Sequence, residues 1–160
     1  MIPFLLKEKL ELKYGKDFIL PSHINLLRPF KEAFQGDEHD LQKAFFANNA
    51  IQQLGDPFLY LMHAIPNGGT RNKIEAGRLK AEGVKAGIPD VFWPVACKKI
   101  TNQGFVEYHG LYIEFKTKKN TPSEDQRIMM LMLDEQGYKV VCVNTLEDAI
   151  KVFSDYYILR

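Results

Sequence analysis

The sequence has 160 residues, of which 46% are hydrophobic and 26% charged, with a formal net charge of +1. That is the size of one ordinary domain with enough apolar side chains for a sizeable core, which excludes a chain too polar and charged to fold. No apolar run approaches the ~20 residues that span a bilayer, and Lys7-Glu8-Lys9 interrupts the apolar start Met1-Ile2-Pro3-Phe4-Leu5-Leu6, so a secretory signal is not expected.

In chain order, residues 1–36 read as an accessory arm. It has a short helix from Pro3 to Tyr14, breaks at Pro21 and Pro29, and another helical turn from Pro29 to Gln35. Asp37 is a good N-cap for a first helix, with Asp40 in its first turn, and Leu41, Ala44, Phe45 and Ile51 recur at helical spacing as far as Gln53. Gly55-Asp56-Pro57 ends it. Phe58 to Ile65 is an almost wholly apolar run between two prolines and predicts a buried strand. Pro66-Asn67-Gly68-Gly69 is a turn, after which Thr70 caps a basic helix that Gly83 ends. Asp90 to Ala96 predicts a strand made irregular by Pro94, and Cys97 to His109 a polar hairpin.

Leu111 to Thr117 is the clearest strand. Leu111, Ile113 and Phe115 alternate with Tyr112, Glu114 and Lys116, so one face is core and the other carries an acid and a base. Ser123-Glu124-Asp125-Gln126 is a capping box for a helix closed by Gly137. Lys139 to Val143 predicts a buried strand, and Thr145 caps a last helix to Tyr157. This order predicts an α/β fold, a mixed central sheet flanked by helices.

Chemistry concentrates between Gly83 and Lys119. Glu114 and Lys116, two apart on a strand, share a face, and Asp90 begins a neighbouring strand. Two carboxylates suit a hard cation such as Mg²⁺, which takes oxygen ligands and keeps several waters. A lysine beside them can stabilise charge on a phosphoryl group. From Pro66 to Asn120 ten Lys/Arg face five acids, an excess that suits a polyanion or, equally, a solvated basic face. Gly87 would let backbone approach a phosphate closely. His63, on an apolar run, reads as a hydrogen-bonded core histidine and His39 as a surface one. Zinc is not expected, for want of paired His or Cys ligands. Cys97 and Cys142 lack CxxC spacing and are expected as reduced thiols, hence a cytoplasmic setting in a bacterial or phage-infected cell, or a nuclear one in a eukaryote.

Asp90 after Pro89, followed by Glu114-Phe115-Lys116, fits the PD-(D/E)xK nuclease pattern. The order Pro66-Asn67-Gly68-Gly69-Thr70-Arg71, Gly83-Val84-Lys85-Ala86-Gly87-Ile88-Pro89-Asp90, Gly110 to Lys116 and Ser123-Glu124-Asp125-Gln126 resembles the virus-type replication–repair nuclease domain, VRR-NUC. The resemblance covers roughly residues 37–157 and divides the chain into an arm, 1–36, and a nuclease domain, 37–160. It implies a restriction-endonuclease-like core and an Mg²⁺- or Mn²⁺-dependent endodeoxyribonuclease. Asp90, Glu114 and the Phe115 backbone carbonyl would be metal ligands. Glu38 would complete the metal shell directly or through water, Lys116 would position or activate the attacking water, and Gln126 would lie near the metal or the lysine. Each has a plainer rival: Glu38 as a helix-dipole acid, Gln126 as a capping residue. Asn67, Arg71, Lys85, Lys118 and Lys119 would meet DNA. Family members that consist of little but this domain resemble dimeric resolvases of branched DNA such as Holliday junctions, which implies a homodimer and a role in DNA repair. A same-fold nuclease for flaps, single strands or a duplex sequence, and a non-catalytic DNA-binding module, are the alternatives.

Overall fold

A computed structural model describes residues 36–48, 51, 54–66, 73–101, 104–117 and 119–158. The expected helices of the arm, the Thr70 cap and most of the turn after Pro66 lie outside these residues. Helix α1 spans Glu38–Phe46. Asp37 caps it as expected: its Oδ1 accepts from the Asp40 N–H at 2.9 Å. The helix stops earlier than its apolar spacing suggests. Asn48 Oδ1 takes the Ile51 N–H at 3.2 Å, a side chain competing for a backbone donor, so Ile51 reaches the core from a new turn.

The run 58–65 is not a buried strand. Pro57–Leu61 is a 3₁₀ helix, Asp56 accepting from the Phe58 N–H at 2.9 Å with Pro57 in the first turn, and only His63–Ala64 (β1) pairs with a neighbour. Tyr60 is 96% exposed, and Phe58 and Leu61 are exposed with it, while Leu59 and Met62 rest against the core. His63 is correspondingly an exposed edge residue, its Nδ1 2.8 Å from the Leu61 carbonyl oxygen, and not a core histidine.

Helix α2 (Lys73–Ala81) ends in Gly83 at φ +98°, with the Val84 N–H reaching back to the Leu79 carbonyl at 2.9 Å. Then come β2 (Val91–Trp93), the hairpin β3 (Cys97–Thr101) and β4 (Gly104–Tyr108), β5 (Leu111–Phe115), α3 (Glu124–Glu135), β6 (Lys139–Val143) and α4 (Leu146–Ile158). The sheet order is β1-β2-β5-β6. The first three strands are antiparallel and β6 is parallel to β5, so the sheet is mixed. The hairpin β3–β4 is a separate two-stranded ribbon.

One sheet face is closed. Val91, Trp93, Leu111, Ile113, Phe115 and Val143 pack with Leu41 and Phe45 of α1 and Ala149, Ile150, Phe153 and Tyr156 of α4. The aromatic polar ends are satisfied: Trp93 Nε1 donates to the Phe58 carbonyl and Tyr156 Oη to the Val95 carbonyl, at 2.8 and 2.7 Å. These two bonds tie the 3₁₀ helix to the last residue of β2 and α4 to the segment just beyond it. The opposite face carries Phe92 stacked on Tyr112, ring centroids 4.2 Å apart, and it continues into Glu114. Helix α3 lies against β6 without burying any residue fully; Met129 and Leu133 are half-buried while Ile128 and Met132 are exposed.

Candidate active site

The antiparallel register Val91↔Ile113, extended by one residue, sets Asp90 opposite Glu114. Strand alternation then places both carboxylates on the sheet face away from the aromatic core. Asp90 Oδ2 accepts from the Phe115 N–H at 2.9 Å, which fixes the carboxylate at the end of β5. The parallel partner β6 continues past the strand: the Lys116 N–H donates to the Val143 carbonyl at 2.8 Å, holding the lysine backbone in register.

The acid-and-base face of β5 is not open to water. Glu114 is 0% exposed and Lys116 only 7%. The Lys116 ammonium hydrogen-bonds Glu114 Oε1, the Phe115 carbonyl at 3.0 Å and Glu38 Oε2 at 3.1 Å. Glu38 thus reaches the site from the first turn of α1, 78 positions earlier in the chain. Its other oxygen accepts from Asn120 Nδ2 at 2.9 Å and from the Thr117 N–H at 3.4 Å. The dipole of α1 alone does not account for that geometry.

Gln126 does two jobs with the two ends of one amide. Its Oε1 accepts from the Ser123 N–H at 2.9 Å, closing the capping box of α3, while its Nε2 donates to Glu114 Oε1. The capping and site readings are therefore not rivals. Gly87 (φ +84°) belongs to the same arrangement: a Cβ there would lie 2.5 Å from the Asp125 carbonyl oxygen and 3.1 Å from the Gln126 nitrogen. The expectation that it admits a phosphate is corrected. The space beside it is filled by backbone of α3, so Gly87 lets the 83–90 loop dock on the helix that carries Gln126.

Burial pushes the Glu114 carboxyl up to about 7, with the Asp90 and Glu38 charges adding to the rise and Lys116 opposing it. Burial also raises Asp90, against the pull of the Phe115 N–H. Burial would lift Glu38 too, but hydrogen bonds from Asn120 and Lys116 outweigh it and hold that carboxylate below its ordinary value. For Lys116 burial works downward, yet its bonds and charges with Glu114 and Glu38 prevail and keep it above its ordinary value. Lys116 is therefore a cation at neutral pH. It can orient a group or offset negative charge, but it does not start as a base.

One atom of this cluster is left over. Glu114 Oε2 is buried and has no hydrogen-bond partner. An unsatisfied buried carboxylate oxygen is costly, which points to a missing positive partner. Among the described residues no group of three or more His, Cys, Asp or Glu is placed to hold a metal ion. The available set is two carboxylates, Asp90 and Glu114, plus the Phe115 carbonyl. All are hard oxygen donors, and Mg²⁺ typically takes one or two protein carboxylates and fills the rest of its shell with water. The residues present fit such an ion.

Of the residues expected at DNA, Lys85 is exposed on the 83–90 loop and Lys119 on the turn after β5. Asn67, Arg71 and Lys118 lie outside the described residues. Two neighbours of the site carried no signal in the sequence. Asn120 sits in a polar turn like many others, and Cys142, exposed on β6, is placed beside Glu114 only by the strand register.

A VRR_NUC domain protein of known structure superposes with a TM-score of 0.59, covering 81% of this chain and 93% of its own at 24% identity. The chain has the fold of that protein, and the resemblance seen in the motif blocks is borne out at the level of the fold. No protein-family model matches the sequence, and no curated protein matches it.

Proposed function

We propose that this chain is a divalent-metal-dependent endonuclease that hydrolyses DNA phosphodiester bonds, acting as a homodimer on branched DNA such as Holliday junctions. The observation that carries the reaction class is the buried, unpartnered oxygen of Glu114, set opposite Asp90 and beside the protonated Lys116. Asp90, Glu114 and the Phe115 carbonyl would hold Mg²⁺ or Mn²⁺. When bound, the ion lowers the pKa of a coordinated water and neutralises charge on the phosphoryl oxygens. Lys116 orients the attacking water and offsets charge that develops on the phosphate. Gln126 keeps the Glu114 carboxylate turned toward the site through its Nε2 bond while its other end stays tied to Ser123. Asp90, anchored by the Phe115 N–H, needs no reorganisation to present its second oxygen.

Support for a branched substrate comes from the motif blocks that resemble VRR-NUC, a family whose smallest members resemble resolvases, and from the fact that one small domain offers one site. Paired cuts on two strands then favour a twofold dimer. The excess of Lys and Arg between Pro66 and Asn120, which includes Lys85 and Lys119, suits the DNA backbone.

The test is cleavage of labelled four-way junction, flap, nicked and linear DNA by wild type and Asp90→Ala with Mg²⁺ or Mn²⁺. Wild type should cut the junction best, and the variant should lose roughly 10³-fold in rate while still binding DNA. Full activity in Asp90→Ala would sink the assignment. Wild-type binding of junctions without nicking would favour a non-catalytic module.

A further inference from the structure

The sheet face that carries Asp90 and Glu114 does not end at the carboxylates. Two residues further along, Phe92 and Tyr112 are paired across β2 and β5, and His63 stands opposite Phe92 on β1. An aromatic row therefore lies beside the acid row, roughly 7 Å away by strand rise. The Phe92 and Tyr112 rings are stacked, 11° from parallel, and the Tyr138 ring meets them edge-on with centroids at 5.8 and 5.3 Å. Gly110 makes room for this packing, since a Cβ there would lie 2.8 Å from Phe92 and 3.3 Å from Tyr138. Two features separate the row from ordinary core. Phe92, Tyr112 and Tyr138 are only half-buried and His63 is exposed, whereas Trp93 and Phe153 on the other face are closed off. The polar ends of Trp93 and Tyr156 are bonded, but the hydroxyls of Tyr112 and Tyr138 bond no described residue. Charge is distributed the other way. Lys85, in the loop that leads into Asp90, and Lys119, beyond β5, stand at the carboxylate end, and the row itself holds no Lys or Arg. Cations meet backbone phosphates, and rings meet bases.

We propose that His63, Phe92, Tyr112 and Tyr138 form a stacking subsite for one unpaired nucleobase beside the scissile phosphate. The inference rests on the nuclease reading and adds what grips the substrate next to the carboxylates. A base inside a duplex is already stacked on both sides and paired at its edge. Only a base released at a branch point or in a single strand can enter. The rings take its flat faces, and the two phenol hydroxyls take its polar edge. The subsite thus selects DNA that gives up a base where it is cut.

Photocrosslinking on the full wild-type chain tests this. 5-Iodouracil, which joins to the aromatic side chain it stacks on, is placed in turn at each branch-point nucleotide of a four-way junction and a forked DNA, with Ca²⁺ in place of Mg²⁺. Mass spectrometry should find one position joined to His63, Phe92, Tyr112 or Tyr138, and no such product with a linear duplex. Replacing that nucleotide by an abasic one should weaken binding by wild type roughly fivefold to 150-fold, and binding by Tyr112→Leu much less. Tyr112→Phe, which keeps the ring, should still crosslink. Crosslinks confined to other residues, or an abasic loss as large in Tyr112→Leu as in wild type, would overturn the proposal. Wild type that cuts DNA with Mg²⁺ but never crosslinks through the row would overturn it too and leave the nuclease reading standing. Crosslinks in the row without any cleavage would defeat the nuclease reading alone and leave the base subsite in place.

Discussion

The two faces of β5 are both buried and do opposite things. On one, Leu111, Ile113 and Phe115 meet the aromatic side chains of α1 and α4 and contribute stability in the usual way, by removing apolar surface from water. On the other, Glu114 and Lys116 are withdrawn from water without that gain, and their pairing with Glu38 and Gln126 only offsets the loss of hydration. A single strand therefore separates what holds the fold from what strains it, in steps of one residue. The polar face is tolerable because the apolar face is so well filled. That balance can be broken from either side.

The largest stability effect is expected on the apolar side. Trp93→Ala would empty a fully buried site ringed by Phe153, Tyr156 and Tyr157 and remove the bond to the Phe58 carbonyl, costing about 3–5 kcal/mol in urea denaturation. On the polar side the effect depends on pH. The Glu114 carboxyl is raised from 4.5 to about 7, so the folded state holds its proton more tightly than the unfolded chain does. Its contribution is most favourable below pH 4.5, is lost as pH rises toward 7, and is level above that, a swing of up to about 3 kcal/mol. Glu38, held below its ordinary value, slopes the other way, but only below about pH 4.5. Asp90, also raised by burial, slopes the same way as Glu114, so metal-free wild type should weaken between pH 4.5 and 7 and Glu114→Gln should weaken less, as urea midpoints in a chelator will show.

A smaller loss is expected where the two halves of the polar face are joined. Gly87→Ala would press a Cβ to 2.5 Å from the Asp125 carbonyl at a positive φ, costing roughly 1–3 kcal/mol and shifting the helix that carries Gln126. Cleavage should fall in that variant at temperatures where circular dichroism still shows it folded. Ser123→Ala removes one end of the same capping box and should cost about 1 kcal/mol in thermal denaturation.

Much of this was legible in the residues, for identifiable reasons. The N-cap at Asp37 and the capping box at Ser123 are local, and so are the glycine stops at Gly83 and Gly137, so short-range rules found them. The alternation of β5 found its core face. It did not show that Glu114 and Lys116 are buried, because a polar face reads as solvent-facing unless long-range neighbours are known; here they are Glu38 and Gln126. The run 58–65 misled because short apolar stretches look alike as strand or helix, and Asp56 with Pro57 tips this one into a 3₁₀ turn. Gly87 and Asn120 were opaque for one reason: each matters through a contact with a segment whose approach only the fold determines.

The most direct test of the central claim is a crystal structure soaked with Mn²⁺ and measured at a wavelength where the ion scatters anomalously. A peak is expected ~2.0–2.3 Å from carboxylate oxygens of Asp90 and Glu114, with the Phe115 carbonyl completing the protein share of the shell. A peak elsewhere, or none at saturating Mn²⁺ with Lys116 still seated on Glu114, would contradict it.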